Sequence, residues 1–459
     1  MNTLASLARD LGAGAVTSRR LVEECLARIA EPNGEGPRTF LKVHTESARA
    51  AADYYDRLRA QGVTLSPWAG IPISVKDLFD VAGDVTTAGS KALRGEAPAS
   101  ADCAAVARLR AAGFIPIGRT NMTEFAYSGL GLNPHYGTPL NPFERHRGRA
   151  PGGSSSGAAV SITEEMSYGA LGTDTGGSCR IPAAFCGTVG FKPTACRVPV
   201  SGVFPLSQTL DSVGHLAASV GCCATLDAVL ANEPLPALER IALRGRRFAV
   251  ATRYALEDLD PHVARSFECA IRDLRAADAQ IEELPLAELD ELPDLNRKGG
   301  FSGAEAYAAH RERIDSQGAS YDPRVLVRIL RGREQSAAEY LDLIRARADL
   351  QRRIERPLAQ FEAVLMPTTP IIAPLIKELE TDEAYMRFNQ MALRNTAVAN
   401  FLDRCAVSIP CHEPGTAPVG LMLMSAHGAD RRLLGLAAAV EALVSPTRGS
   451  CESVRSTGT

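Results

Sequence analysis

The chain has 459 residues, room for one large domain or two to three ordinary ones. Apolar residues make up 45%, charged residues 22%, and the formal net charge is −3; a globular protein with a sizeable core fits these values, and the interspersed signs argue against a direct nucleic-acid partner. No apolar run is long enough for a membrane span, Met1–Gly12 lacks a signal-peptide pattern, and the 11 cysteines show no metal-ligand spacing, so a cytoplasmic protein with scattered buried thiols and no metal is expected.

Thr17–Ala30 reads as an amphipathic helix. Leu21, Val22, Cys25, Leu26 and Ile29 recur at helical spacing, and Thr17 or Ser18 caps it. Glu46–Ala60 is a second helix, closed by Gly62. Ile71, Ile73 and Val75 alternate as in a strand and lead directly into Lys76. On the strand alone, a lysine that snorkels to water is the simpler reading, against one held inside a site. Ser100 or Asp102 is expected to cap a helix running to Ala112, and Phe114–Ile117 is a short strand. Strand, helix, strand in this order predicts a layered α/β fold.

Gly129–Pro151 is a long loop that runs into Gly152-Gly-Ser-Ser-Ser-Gly157, and loops of this length are commonly functional. Ser156–Glu165 reads as a helix, Ser167–Gly172 as a strand, Thr173–Ser178 as a sharp turn and Arg180–Cys186 as a helical turn. Gly187–Pro193 reads as a loop. Further on, Ser219–Ala231, Asp260 onward with Pro261 at the first position, Ser336–Glu355 and Asp430–Val444 are helices. Arg247–Thr252, Ile281–Leu286, Phe361–Met366, Ala406–Pro410 and Val419–Met424 are strands. Ala287–Ser320 has no clear pattern and is expected to shape a pocket rim. With no repeat and no linker, a single α/β domain is expected.

The glycine–serine turn has four readings. A phosphate cradle would need a following Lys-Ser/Thr or a dinucleotide context, and neither is present. A flexible linker would not abut a regular element. A structural turn and a catalytic serine remain open. The second turn favours catalysis, because consecutive N–H groups of Thr-Gly-Gly-Ser can converge on a developing oxyanion, with Ser178 carrying the attacking oxygen. Ser178 needs a base. Among eight histidines the best candidate is His215, near Asp211. Ser155 also sits centrally in a Gly-x-Ser-x-Gly pattern, although no strand precedes it directly. Lys76 becomes a base if burial lowers its pKa.

At these residues the chain resembles the amidase signature family. The resemblance covers at least Trp68–Asp211 and rests on several ordered motifs. They are Ala69-Gly-Ile-Pro-Ile-Ser-Val-Lys-Asp77, Thr86-Thr-Ala-Gly-Ser90, Gly118-Arg-Thr-Asn-Met122, Gly152-Gly-Ser-Ser155, Gly172-Thr-Asp-Thr-Gly-Gly-Ser178, Arg180-Ile-Pro-Ala-Ala-Phe-Cys-Gly187 and Gly190-Phe-Lys-Pro-Thr194. The resemblance implies one α/β/α domain over 1–459 with a large mixed sheet, a signature core at about 68–211 and a variable pocket region at about 232–333. It implies a Ser–cis-Ser–Lys triad: Ser178 the nucleophile, Ser154 the relay after a cis bond from Gly153, and Lys76 the base.

It further implies an oxyanion hole from the N–H groups of Thr175, Gly176, Gly177 and Ser178. Ser155 would brace the lysine, Asp174 the turn, and Arg180 loop carbonyls or an acidic partner. The expected reaction is hydrolysis of a linear carboxamide through an acyl-enzyme, on a small-molecule amide, with no organic cofactor and with a homodimer allowed. Asn121, Met122, Thr123 and Arg328 are the expected substrate contacts. The sequence departs from the family pattern at Thr123, Ser156, Val160–Tyr168, Cys179 and His215; Cys179 reads as packing or as a reactive thiol. Two rivals stand beside the amidase: the glutaminase subunit of a tRNA-dependent amidotransferase, and a catalytically silent binding protein on this fold.

Overall fold

The computed structural model describes residues 1–234, 238–239 and 241–445; Cys451 and part of the expected variable region lie outside them. Eleven strands form one sheet: β1 (Phe40–Val43), β2 (Pro72–Lys76), β3 (Ile115–Thr120), β4 (Ala170–Asp174), β5 (Val189–Lys192), β6 (Ser212–Ala217), β7 (Arg247–Ala251), β8 (Gln280–Leu284), β9 (Ala363–Pro367), β10 (Ala406–Pro410) and β11 (Gly420–Met424). Their order is β1-β3-β2-β4-β6-β5-β10-β11-β9-β7-β8. The sheet is mixed. Parallel pairing joins β2 to β3 and β4, and β7 to β8 and β9; the remaining pairs are antiparallel.

The central strands are buried along their whole length, as in β2, β4, β6 and β10. A sheet covered on both faces has no reason to alternate apolar and polar residues. That explains two differences from the sequence reading. Gly187–Pro193 contains β5 rather than a loop, and β6 gave no strand pattern because Gly214 and His215 interrupt an otherwise apolar run.

Helices follow the local signals closely where caps are present. Thr17 accepts from Arg20 N ahead of the helix Ser18–Ile29, and Asp260 accepts from His262 N ahead of Pro261–Ala276. Ser336 and Glu339 form a reciprocal capping box ahead of Ala337–Leu358. The helix Ala104–Ala111 is not capped by Ser100 or Asp102. Asp102 instead accepts from Ala82 N at 2.8 Å and pairs with Arg110.

The stretch read as patternless is largely helical, with Leu292–Leu295 and Gly300–Gln317. A twenty-residue helix, Asp382–Phe401, has no counterpart in the sequence reading. Its signals were a Thr381 cap and two acidic residues in the first turn; its polar, Asn-rich inward face hid them.

Candidate active site

Lys76 ends β2, flanked by β3 and β4 near the middle of one half of the sheet. It is fully buried, so the snorkelling reading is overturned. Its Nζ donates to Ser154 Oγ at 2.7 Å and to Thr173 Oγ1 at 2.8 Å. Burial removes the water that would solvate an ammonium and pulls the pKa from its usual value to about 8. About a tenth of the lysine is then neutral at pH 7 and about half near pH 8, within reach of general-base work.

Ser154 follows a cis peptide bond from Gly153, as the resemblance implies. Gly153 is locked between loops: its N–H donates to Gly129 O at 2.8 Å, and a Cβ there would meet Gly131 N at 2.5 Å. The carbonyl of Ser154 accepts from Thr123 N, and Ser155 N donates to Ser178 O at 3.2 Å, which ties the two serine turns together. The expected brace from Ser155 to the lysine is not formed. Ser155 Oγ reaches Thr173 O at 3.4 Å instead, and Thr173 is the residue that holds Lys76. The sequence offered a signal for Thr173 only in its neighbourhood to Asp174.

The second turn leaves β4 at Asp174, whose carboxylate organises it from below. Asp174 accepts from Gly177 N at 2.8 Å and Cys179 N at 3.1 Å. It also accepts from Arg180 Nε at 3.0 Å and Nη2 at 2.8 Å, within a fully buried ion pair. Burial would raise this carboxyl, but the Arg180 guanidinium, with Lys192 and Asn400, outweighs it and holds the pKa at about 2. Arg180 donates as well to Thr396 O and Asn400 Oδ1, so it braces the turn through carbonyls and an acid as expected.

This arrangement revises the expected oxyanion hole. The N–H of Gly177 is already committed to Asp174, which leaves those of Thr175, Gly176 and Ser178 without an acceptor among the described residues. Gly177 has φ +131°, and a Cβ there would lie 2.2 Å from Thr396 Oγ1, which itself donates to Gly176 O at 2.7 Å. Thr396 and Asn400 come from the unforeseen helix Asp382–Phe401, which packs behind the turn.

A cavity of about 670 Å³ opens in front of Ser178, with Thr175 and Gly176 on the same wall. Tyr127 and Ser128, the segment Leu292–Arg331 and the helix Asp382–Phe401 supply the other walls. Of the expected substrate contacts only Arg328 reaches the cavity. Asn121, Met122 and Thr123 are fully buried behind its lining. Asn121 Nδ2 donates to the Arg38 and Gly137 carbonyls at 2.8 Å each, which makes it a brace between loops. The motif carried their position near the pocket, but not the direction of their side chains.

No hydrogen bond joins His215 to Ser178 or to Asp211 among the described residues. The histidine lies inside the sheet on β6, and neither ring nitrogen has a hydrogen-bond partner among the described residues. Burial pulls its pKa down to about 3, and Asp211 pairs with Thr175 instead. Cys179 is equally buried; burial pushes its thiol up, away from the reactive thiolate, and its Sγ donates to Thr173 O at 3.4 Å. It packs in a buried cluster with Ala158, Ala170 and Leu216. Among the described residues no group of three or more His, Cys, Asp or Glu side chains converges as a metal-ligand set, and no helix is long and apolar enough to cross a membrane.

Comparison with known proteins finds matches over nearly the whole chain. The model of the family described as Amidase matches residues 20–434. A 2-amino-5-chloromuconic acid deaminase from Comamonas testosteroni is 38% identical, with 96% of each chain covered. A glutamyl-tRNA(Gln) amidotransferase subunit from a Roseiflexus species is 33% identical, with 92% of each covered. Among solved structures, one described as an amidase superposes with a TM-score of 0.88 at 31% identity, covering 96% of this chain and 100% of that one. The peptide amidase of Stenotrophomonas maltophilia superposes with a TM-score of 0.77 at 27% identity, covering 96% of this chain and 97% of that one.

Proposed function

The chain belongs to the amidase family and cleaves carbon–nitrogen bonds of amides, and from that premise we propose that it does so through a serine acyl-enzyme with Ser178, Ser154 and Lys76 as the working residues. The observation that carries this reading is the buried Lys76 Nζ, 2.7 Å from Ser154 Oγ, with a pKa pulled down to about 8.

Neutral Lys76 takes the Ser154 proton as Ser154 takes that of Ser178. The freed Ser178 oxygen adds to the amide carbonyl. The N–H groups of Thr175, Gly176 and Ser178 stabilise the negative charge on the carbonyl oxygen. The relay then runs backward: Ser154 delivers a proton to the leaving nitrogen, the C–N bond breaks, and ammonia or an amine departs. Water attacks the ester, the same relay removes its proton, and the acid is released with Ser178 regenerated.

The test is ammonia release across aliphatic and aromatic amides with Ser178→Ala as the blank. Wild-type-like turnover by that variant would remove the assignment. A second reading is favoured by the tRNA-dependent amidotransferase chains found as relatives, at 32–33% identity over nearly their whole length: a glutaminase working with partner chains. Glutamine hydrolysis that requires added partner proteins would favour it. Turnover of simple amides by the isolated chain favours the stand-alone enzyme.

A further inference from the structure

The chain as a whole carries slightly more acid than base, 53 Asp and Glu against 50 Lys and Arg. The cavity in front of Ser178 departs from that balance. Arg297, Arg328, Arg331 and Arg394 line it, and among the described residues no aspartate or glutamate does. The charge of Arg394 is offset nearby by Glu257 and Asp258. For Arg297, Arg328 and Arg331 no ion pair with a carboxylate is formed among the described residues.

These three come from adjoining pieces of chain. Arg297 follows the helix Leu292–Leu295, Arg328 lies in the helix Pro323–Leu330, and Arg331 opens the next turn. Arg328 donates one N–H to the Tyr127 carbonyl and stacks 4.4 Å above the Tyr127 ring, which orients its guanidinium. The Arg331 side chain is exposed and makes no hydrogen bond with the described residues. Cations gathered without counter-charges in a concave site focus a positive potential that attracts anions. A guanidinium fork matches a carboxylate in shape as well as charge. The rest of the lining includes Leu206, Leu210, Leu292 and Met386, which suit a hydrocarbon spacer.

We propose that the cavity selects amides whose acyl chain ends in a carboxylate, held by Arg331 and Arg328 with Arg297 at the rim. The proposal deepens the hydrolase reading and rests on it for the position of the scissile bond. Binding of the carboxylate does not depend on that reading.

The experiment compares two six-carbon amides, adipamate and hexanamide, which differ in a terminal carboxylate against a methyl group. Wild type is expected to favour adipamate by roughly 10–100-fold in kcat/KM, mostly through KM, with the preference shrinking as salt rises. Arg331→Gln and Arg328→Gln are each expected to lower the adipamate-to-hexanamide ratio by about tenfold or more, and Arg331→Lys to restore part of it. Equal use of the two amides by wild type, or a ratio untouched by both glutamine variants, overturns the proposal. In parallel, adipate binding to the Ser178→Ala protein is measured by calorimetry. Binding that weakens about tenfold with Arg331→Gln supports the carboxylate site even if no amide is turned over, and absence of binding overturns it. Failure of all amide turnover with adipate still bound would count against the hydrolase reading alone. Because Arg331 is exposed, a circular-dichroism melt matching wild type is expected for its variants.

Discussion

Lys76 Nζ is held between two hydroxyls, Ser154 Oγ at 2.7 Å and Thr173 Oγ1 at 2.8 Å, in a pocket without solvent exposure. A protonated amine has three N–H donors and a neutral one keeps a lone pair for accepting a proton. Two oxygens at hydrogen-bond distance orient that lone pair, while burial makes the neutral state accessible. The two hydroxyls thus position the amine, and burial tunes it.

Removing the base should be severe. Lys76→Ala and Lys76→Met are expected to lower kcat by roughly 10⁴–10⁶-fold, as loss of a triad member does elsewhere, with the fold retained. Single-turnover ammonia release and a circular-dichroism spectrum check both halves of the expectation. Activity within tenfold of wild type would mean that Ser154 finds its base elsewhere.

The pH profile follows from the sign of the lysine shift. The Lys76 pKa is depressed to about 8, and the active form is the neutral amine, so kcat/KM should rise with pH through a midpoint near 8 and level off above it. An undepressed lysine would place that midpoint near 10.4. Initial rates on an uncharged amide between pH 6 and 10 distinguish the two. A profile already flat at pH 7 would contradict the assignment.

Thr173, rather than Ser155, is the second contact of the lysine. Thr173→Val keeps the shape of the side chain and removes one of the two contacts that orient the neutral amine, at a cost of about 0.5–1.5 kcal/mol, which corresponds to roughly a 2–10-fold loss in kcat. Ser155→Ala, which removes a long contact to a carbonyl, should cost much less. A shifted acid limb in the Thr173→Val pH profile would separate a role in tuning Lys76 from simple destabilisation.

The Asp174–Arg180 pair sets the stability of the nucleophile turn. Arg180→Met leaves a buried carboxylate without its guanidinium and should destabilise the protein by about 3–5 kcal/mol, read as a lower denaturation midpoint. With the folded Asp174 pKa at about 2, below its ordinary value, the stabilisation is complete above about pH 4 and fades as pH falls toward 2. The stability difference between Arg180→Met and wild type should therefore narrow on acidification through that window. A difference constant from pH 7 to pH 2 would contradict the pairing.

His215→Leu tests the rejected triad. Its ring nitrogens are buried with no hydrogen-bond partner among the described residues, and replacing an unsatisfied polar group by an apolar one of similar size is neutral or stabilising. Unchanged ammonia release and an equal or higher Tm are expected. Loss of activity with an intact fold would revive the histidine as the base.

The comparison of sequence with structure turns on how far each signal reaches along the chain. Cap and periodicity signals are local, so Ser18–Ile29, Arg180–Cys186 and Asp430–Val444 were legible. Strands β5 and β6 were not, because strands buried on both faces lose the alternation that marks a half-exposed strand. Lys76, Ser154 and Ser178 were legible because their glycine-rich surroundings form dense, ordered motifs. Thr173, Thr396 and Asn400 were missed because nothing local marks a threonine or asparagine as a brace.

The sequence by itself determined the family and the single α/β architecture and pointed to Lys76, Ser154 and Ser178 as the candidate residues, since motif and periodicity are properties of neighbouring residues. Only the tertiary structure decided that Lys76 is buried rather than snorkelling, that Gly177 commits its N–H to Asp174, and that Asn121, Met122 and Thr123 lie behind the cavity lining. The first and the last depend on which distant segment packs against the residue, whereas the Gly177–Asp174 bond is local and depends on how the turn is folded. Desolvation and hydrogen-bond competition are set by such neighbours, and β4 and the helix Asp382–Phe401 are brought to the site by the fold alone.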